Sequence, residues 1–303
     1  MDTYDIALKM LFDVALSGNN MPVIADEEAR VRHVANFVTL IERNEEIVFV
    51  LPGFPAKSPN RQKTFGPLPD MAELIAMQRL HETCEHISEY YRPGARVVIC
   101  SDGLVFGDLV KVSDAEVAAY GKRLGKIIKD YNFHRVGMFN TKPIFPKMGS
   151  DEMRRELVTQ YGLPLEEVRN QIITCPDANS KFNGIHRFVL EDSVALEPEK
   201  SRNQIRKESK AIAYQVVQRS DSWGNLIKVC FPNAIRLSIH PQPTTSERIF
   251  FQLANCANTW TTPWHSTAMF THRGLCLIRR HEAEAMGAKL EYTSCGLPYF
   301  SLS

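Results

Sequence analysis

The run Ile47–Pro52, IVFVLP, has no polar face, and that limits where it can sit. A strand exposed on one side carries polar residues at every second position. A short unbroken run rich in β-branched residues reads instead as a strand covered on both faces. ARVVIC, from Ala95 to Cys100, has the same character, and HRVGMFN, from His134, reads as a third strand. Between the first two lies LPDMAELIAMQRLHETCEHISEYY, an amphipathic helix with Asp70 near its start and Pro93-Gly94 just past its end. Another helix over 113–130 opens on Ser113, Asp114 and Glu116, close to a capping box. Residues 26–44 also carry a helical period, with Val31, Val34, Phe37, Val38, Leu40 and Ile41.

This order of strand, loop and helix predicts a parallel sheet with helical crossovers, in which ligands bind beyond the carboxyl ends of the strands. Residues 150–220 read as charged helices, with a basic stretch at Arg202, Arg206, Lys207 and Lys210. The final third reads as β-rich: NAIRLSIHPQP, ERIFFQLAN, a hairpin turning at Arg273-Gly274, a short helix RHEAEAMGA and a last strand KLEYTSC. The expected fold is therefore α/β. It has a Rossmann-like sheet, largely parallel in the N-terminal half, that continues into a β-rich C-terminal extension. Residues 1–303 are read as a single α/β catalytic domain, with 1–25 an N-terminal helical extension.

Charge and cysteine usage narrow the function classes. Lys and Arg number 36 against 35 acids, so no basic face marks a dedicated nucleic-acid or membrane-surface binder. The seven cysteines are scattered and never form a CxxC pair, which argues against a disulfide framework and a zinc site and for a reducing compartment. The N-terminal stretch MDTYDIALKMLFDVAL reads as an amphipathic helix, not a signal peptide. No apolar run approaches the ~20 residues of a membrane helix. A soluble, cytoplasmic protein with no bound metal is the expectation.

No P-loop, GxGxxG or GxSxG motif is present. Four places stand out instead. GFPAKSPNR leaves the first strand with Lys57, Ser58, Asn60 and Arg61 on a proline-stiffened tip, suited to an anionic ligand and equally to a solvated loop. Ser101, Asp102 and Gly103 end the second strand; glycine permits close backbone approach and Asp102 can orient a polar group or act as a base, or form a plain turn. In RLSIHPQP, Arg236, Ser238 and His240 share one strand face, either as a polar wall or as the solvent side of an edge strand. TTPWHSTA places Trp264 and His265 on a constrained approach to a strand, with Trp264 suited to the core or to stacking.

The ordered set LPGFPAKSPNRQKTFGPLPDMAE, SDGLVFGDLVKVSD, RLSIHPQP and TPWHSTAMF…GLCLIRRHEAEAMGA resembles the isonitrile (isocyanide) synthases of the pyoverdine/dityrosine biosynthesis family, from about residue 30 to 300. The resemblance implies condensation of the α-amine of tyrosine or tryptophan with ribulose 5-phosphate as co-substrate, then fragmentation and decarboxylation to an isonitrile, with no further cofactor. It makes Lys57, Asp102, His240 and His265 the candidate catalytic side chains. Ser58, Asn60, Arg61, Ser101, Gly103, Arg236 and Trp264 become the candidate substrate contacts, with Arg187 or Arg219 as alternative carboxylate partners. It also implies a pathway partner, an iron- and 2-oxoglutarate-dependent oxygenase, acting through a shared intermediate. Two other readings fit the same residues: a phosphosugar–amino acid condensing enzyme with a formyl or other product, and a non-catalytic ligand-binding relative.

Overall fold

The computed structural model describes residues 1–15, 26–256 and 260–302. In chain order the elements are α1 (Thr3–Ala15), α2 (Glu27–Glu42), β1 (Ile47–Gly53), α3 (Met71–Tyr90), β2 (Ala95–Ser101), α4 (Gly103–Phe106), α5 (Asp114–Asp130) and β3 (Val136–Phe139). Four helices follow: α6 (Ser150–Tyr161), α7 (Leu165–Thr174), α8 (Pro176–Leu196) and α9 (Arg202–Cys230). The remainder is β4 (Ile235–Ser238), β5 (Ile249–Phe250), a 3-10 turn over Pro263–His265, β6 (Thr267–Thr271), β7 (Gly274–Ile278), α10 (Arg280–Ala285), β8 (Lys289–Tyr292) and β9 (Pro298–Ser301).

Helix starts follow local chemistry. Asp70 accepts from the Ala72 amide while Glu73 reaches back to the Asp70 amide, and Ser113 with Glu116 repeats the device at α5. Each pair satisfies amides that an uncapped helix would leave open. The first sheet is wholly parallel, in the order β3-β2-β1-β4-β5. Side chains alternate across it. Ile47, Phe49 and Leu51 enter a core shared with α1, α2, α3 and α5, whereas Val50, Val98 and Cys100 face Met153, Leu157, Trp223, Leu226 and Ile227 of α6 and α9. Cover on both faces is why the central strands carry no polar alternation.

The helix α1 belongs to the main core through Ala7, Met10, Leu11 and Val14. Of the expected N-terminal extension, residues 16–25 lie outside the described residues.

The fold class is as expected, and the β-rich extension divides between two sheets. The β-rich last third does not continue one sheet. β4 and β5 join the parallel sheet on the free side of β1, and β6 to β9 make a second, mixed sheet in the order β7-β6-β9-β8. A strand with an unpaired edge must be paired or covered, and β4 does this for β1. The chain leaves β1 towards β2 and β3 and later returns to β4 on the other side. The β1/β4 boundary is thus a switch point, the place where open α/β sheets bind their ligands.

Beyond β2, Gly103 allows the close approach of the loop after β1. A Cβ there would lie 2.0 Å from the Pro55 carbonyl oxygen and 2.7 Å from Val117 Cγ1. Gly103→Ala is expected to lower stability by about 1–3 kcal/mol, seen as a lower urea midpoint at unchanged m-value. An unchanged midpoint would contradict the contact.

Candidate active site

At the carboxyl end of β1 the backbone turns through Phe54, whose φ of 54° is the left-handed region that bulky residues rarely adopt. Its carbonyl accepts a hydrogen bond from Ser101 Oγ at 3.0 Å, and its buried ring packs 5.2 Å from that of Trp264. Such strain persists where surrounding contacts hold it. Trp264 also fills the space over Gly53, where a Cβ would meet the indole at 3.0 Å. Trp264 is thus core filling at the strand end.

Three residues on, Lys57 turns inward. Its side chain has no exposed surface, and Nζ lies 2.8 Å from Asp70 Oδ2, 3.0 Å from Glu73 Oε2, 2.8 Å from the Pro263 carbonyl and 3.0 Å from that of Ser266. Three N–H groups shared among four oxygens leave no donor for a ligand. Burial works against the ammonium, but Asp70 and Glu73 outweigh it and hold the Lys57 pKa above its ordinary value. Burial raises both carboxyls against the pull of Lys57, Glu73 up to about 8, so at neutral pH the Asp70–Glu73 pair retains a proton beside the ammonium. Tyr120 Oη donates to Glu73 Oε1 at 3.1 Å and closes the cluster from α5. Lys57 therefore clamps the loop, the start of α3 and the 3-10 turn together.

The rest of the loop converges on a carboxylate of α8. Ser58 Oγ donates to Asp192 Oδ2 at 3.0 Å, Asn60 Nδ2 to Asp192 Oδ1 at 3.1 Å, and Lys63 Nζ lies 2.6 Å from the same Oδ1. Lys63 also pairs with Glu191 at 3.0 Å, and Glu191 takes a two-pronged contact from Arg279 at 2.5 and 3.2 Å. Burial opposes the Asp192 charge, yet the neighbouring His265 and the Lys63 ammonium hold its carboxyl below the usual range. The expected anion grip is therefore already filled by an anion of the chain itself.

Two histidines lie beside this hub. Burial pushes the His265 imidazole down to about 4, against the pull of Asp192. One of its nitrogens, Nδ1, is 3.1 Å from Thr262 Oγ1, and its ring is 5.2 Å from that of Phe188 on α8. His240 sits just beyond β4 with its ring against Trp260, centroids 4.9 Å apart. Burial alone depresses His240 to about 4, and its Nδ1 is buried without a hydrogen-bond partner. Both rings are neutral near pH 7 and able to accept a proton. Across β1, Asp102 is nearly buried at 9 % exposure; Oδ1 has no partner, and burial raises the carboxyl to about 7. Adjacent strands are 4.7–4.9 Å apart, so the ends of β2 and β4 are separated by roughly 10 Å.

The expected residues separate into two groups. Ser58, Asn60, Asp102, Gly103, His240, His265 and Trp264 gather around the ends of β1, β2 and β4, and Ser101 braces the turn between them. Arg61 is exposed at the tip, where Nη1 donates to Thr64 Oγ1 at 3.3 Å. Arg236 is elsewhere. It pairs with Val50 in mid-strand, and its half-buried guanidinium lies under α9, 3.2 Å from where a Cβ of Gly224 would stand. Arg236 and Ser238 do share a face, as their spacing predicts, but that face meets α9 because β4 is interior. Strand geometry stops at Ser238, so His240 is placed by the following bend, where Ser238 Oγ donates to the His240 carbonyl at 3.0 Å. Lys63, Glu73 and Asp192 are site residues that sequence reasoning missed. Lys63 stood in the quoted motif two positions past Arg61, whereas Asp192 reads as an ordinary acid on a helix. Among the described residues, no group of three or more His, Cys, Asp or Glu is placed to hold a metal ion, and no helix is long and apolar enough to cross a membrane.

Residues 37–291 match the family of pyoverdine/dityrosine biosynthesis proteins. The chain is 42% identical over 269 residues to the L-tryptophan isonitrile synthase AmbI2 of Fischerella ambigua, covering 89% of this chain and 82% of that protein. It is 37% identical over 272 residues to the L-tyrosine isonitrile synthase of Pseudomonas aeruginosa, covering 88% and 83% respectively. The crystal structure of PvcA from Pseudomonas aeruginosa superposes with a TM-score of 0.90 at 33% identity, over 100% of both chains.

The Glu73 proton makes a testable contribution to stability. With a folded pKa of about 8 against an ordinary 4.5, the native state binds more protons than the unfolded one between these values. This contribution is complete below pH 4.5 and is lost as pH rises through 8, at up to about 1.4 kcal/mol per pH unit. Urea denaturation from pH 5 to 8.5 is expected to show Glu73→Gln losing this part of the decline. A parallel pH profile for both proteins would contradict the protonated cluster.

Proposed function

The chain belongs to the family of pyoverdine/dityrosine biosynthesis proteins and is an enzyme, and from that premise we propose that it is an isonitrile synthase. It joins the α-amine of tyrosine or tryptophan to ribulose 5-phosphate. The observation that carries this reading is identity of 37% to 42% with two named isonitrile synthases across nearly nine-tenths of the chain. The site supplies groups the chemistry needs. An amine adds to a ketone only after losing a proton, and water then leaves to give the imine. The buried Nδ1 of His240, which has no hydrogen-bond partner, is assigned the first proton, and the Asp102 carboxyl, raised to about 7, can both give and take protons near neutrality. Subsequent transfers on the sugar carbons move protons between the same two groups.

His265 is assigned as the second base, oriented by Thr262 and electrostatically favoured as a proton acceptor by the carboxylate of Asp192. Lys57 is assigned a positioning role, since its donors are consumed. Arg61, which forms no ion pair among the described residues, is the tip cation assigned to the phosphate. The product's isonitrile would be consumed by an iron- and 2-oxoglutarate-dependent oxygenase that meets this enzyme only through the shared intermediate.

The test is incubation of the protein with ribulose 5-phosphate and either amino acid, followed by mass spectrometry. An isonitrile product is expected from tyrosine or tryptophan, and His240→Ala is expected to lower kcat by about 10²-fold or more with Tm unchanged. Full turnover in His240→Ala would remove the assigned base.

A further inference from the structure

A cavity of about 480 Å³ opens between the end of α7 and the first half of α8, lined by Cys175, Asn179, Asn183, Gly184, Arg187 and Trp260 among others. Asn179, Asn183 and Arg187 are spaced four apart and share one helix face. Asn183 Nδ2 donates to Asn179 Oδ1 at 2.7 Å, so the two amides are already arranged. The volume falls within the usual range for small-molecule sites.

The cavity is linked to His240 through a shared wall. Its Trp260 wall is the indole that lies against His240, with rings 25° from parallel. One residue past Arg187, Phe188 meets His265, and Glu191 and Asp192 follow on the same helix with the loop cations. One helix thus runs from the cavity past His265 to the loop after β1.

The arginines divide by availability. Arg219 donates to the Val105 carbonyl at 3.0 Å and Asp108 at 2.6 Å, Arg279 is taken by Glu191, and Arg236 lies under α9 in mid-strand. Arg187 is exposed in the cavity wall, and among the described residues no carboxylate pairs with it. A guanidinium with an open fork takes a carboxylate in a two-pronged contact. An indole face takes an aromatic ring.

We propose that this cavity seats the amino acid, with the Arg187 guanidinium on its α-carboxylate and the Trp260 indole against its aromatic ring. The proposal rests on the reading of the protein as an enzyme of aromatic amino acids, and it names the seat and the residues that select the zwitterion.

Calorimetric titration of the full chain with tryptophan, tyrosine, tryptamine and tyramine tests it, because the two amines lack the carboxylate. Arg187→Met is expected to weaken the amino acid that wild type binds by 10-fold or more, and to change the matching amine less than 2-fold. Independently, that amino acid at saturation is expected to slow alkylation of Cys175 while leaving Cys295, exposed elsewhere, unaffected. Unchanged amino acid affinity in Arg187→Met, or an unprotected Cys175, overturns the seat while leaving the proposed reaction standing. Wild-type protein that binds neither amino acid overturns both.

Discussion

The buried ammonium of Lys57 holds the functional end of this molecule together. It links the loop after β1, the first turn of α3 and the 3-10 turn that carries Trp264 and His265. A charge taken out of water is costly unless paired and hydrogen-bonded, and removing one partner of such a set costs about 3–5 kcal/mol. The four oxygens around Nζ meet that demand, and the proton that burial keeps on the Asp70–Glu73 pair brings the cluster near neutrality. Ser58 reinforces the clamp by donating its amide to the Trp264 carbonyl at 2.8 Å. With the turn fixed in this way, His265 is held beside Asp192 and the loop presents its remaining donors to α8.

Position follows from topology. The strand order reverses between β1 and β4, and α8 packs on the loop after β1 and on His265 at that end of the sheet. The left-handed Phe54 and the bare backbone of Gly103 let the loop fold back close to β2. Burial then acts in opposite directions on different groups: it drives His240 and His265 towards their neutral forms and holds a proton on Asp102 near neutral pH. Groups so shifted in one cleft are suited to proton transfer. The covered strand ends that supply a low dielectric are the ones the hydrophobic sequence pattern produces.

Much of this was readable from the chain. β1, β2 and β3, the helices between them, the capping boxes at Asp70 and Ser113 and the hairpin near Gly274 all rest on local period and local hydrogen bonds. The motif segments GFPAKSPNR and SDGLVFGD also leave β1 and β2 at the carboxyl end of the sheet, as their order implies. What was not readable depends on distant pairing. Nothing near Lys57 announces that its partners are thirteen and sixteen residues ahead and two carbonyls beyond position 260. Asp192 is set on a helix face whose significance appears only when the loop docks on it. The placement of β4 beside β1, which turns Arg236 towards α9, is likewise a choice among sheet edges that no local pattern encodes.

The central claim is that this site draws the isonitrile carbon from a phosphosugar. Its most direct test supplies ribulose 5-phosphate labelled with carbon-13 at C2 alongside tyrosine or tryptophan. The account predicts that the label appears in the N≡C carbon of the product. A product whose isonitrile carbon carries no label, or one in which the label ends in a formyl group, would contradict it.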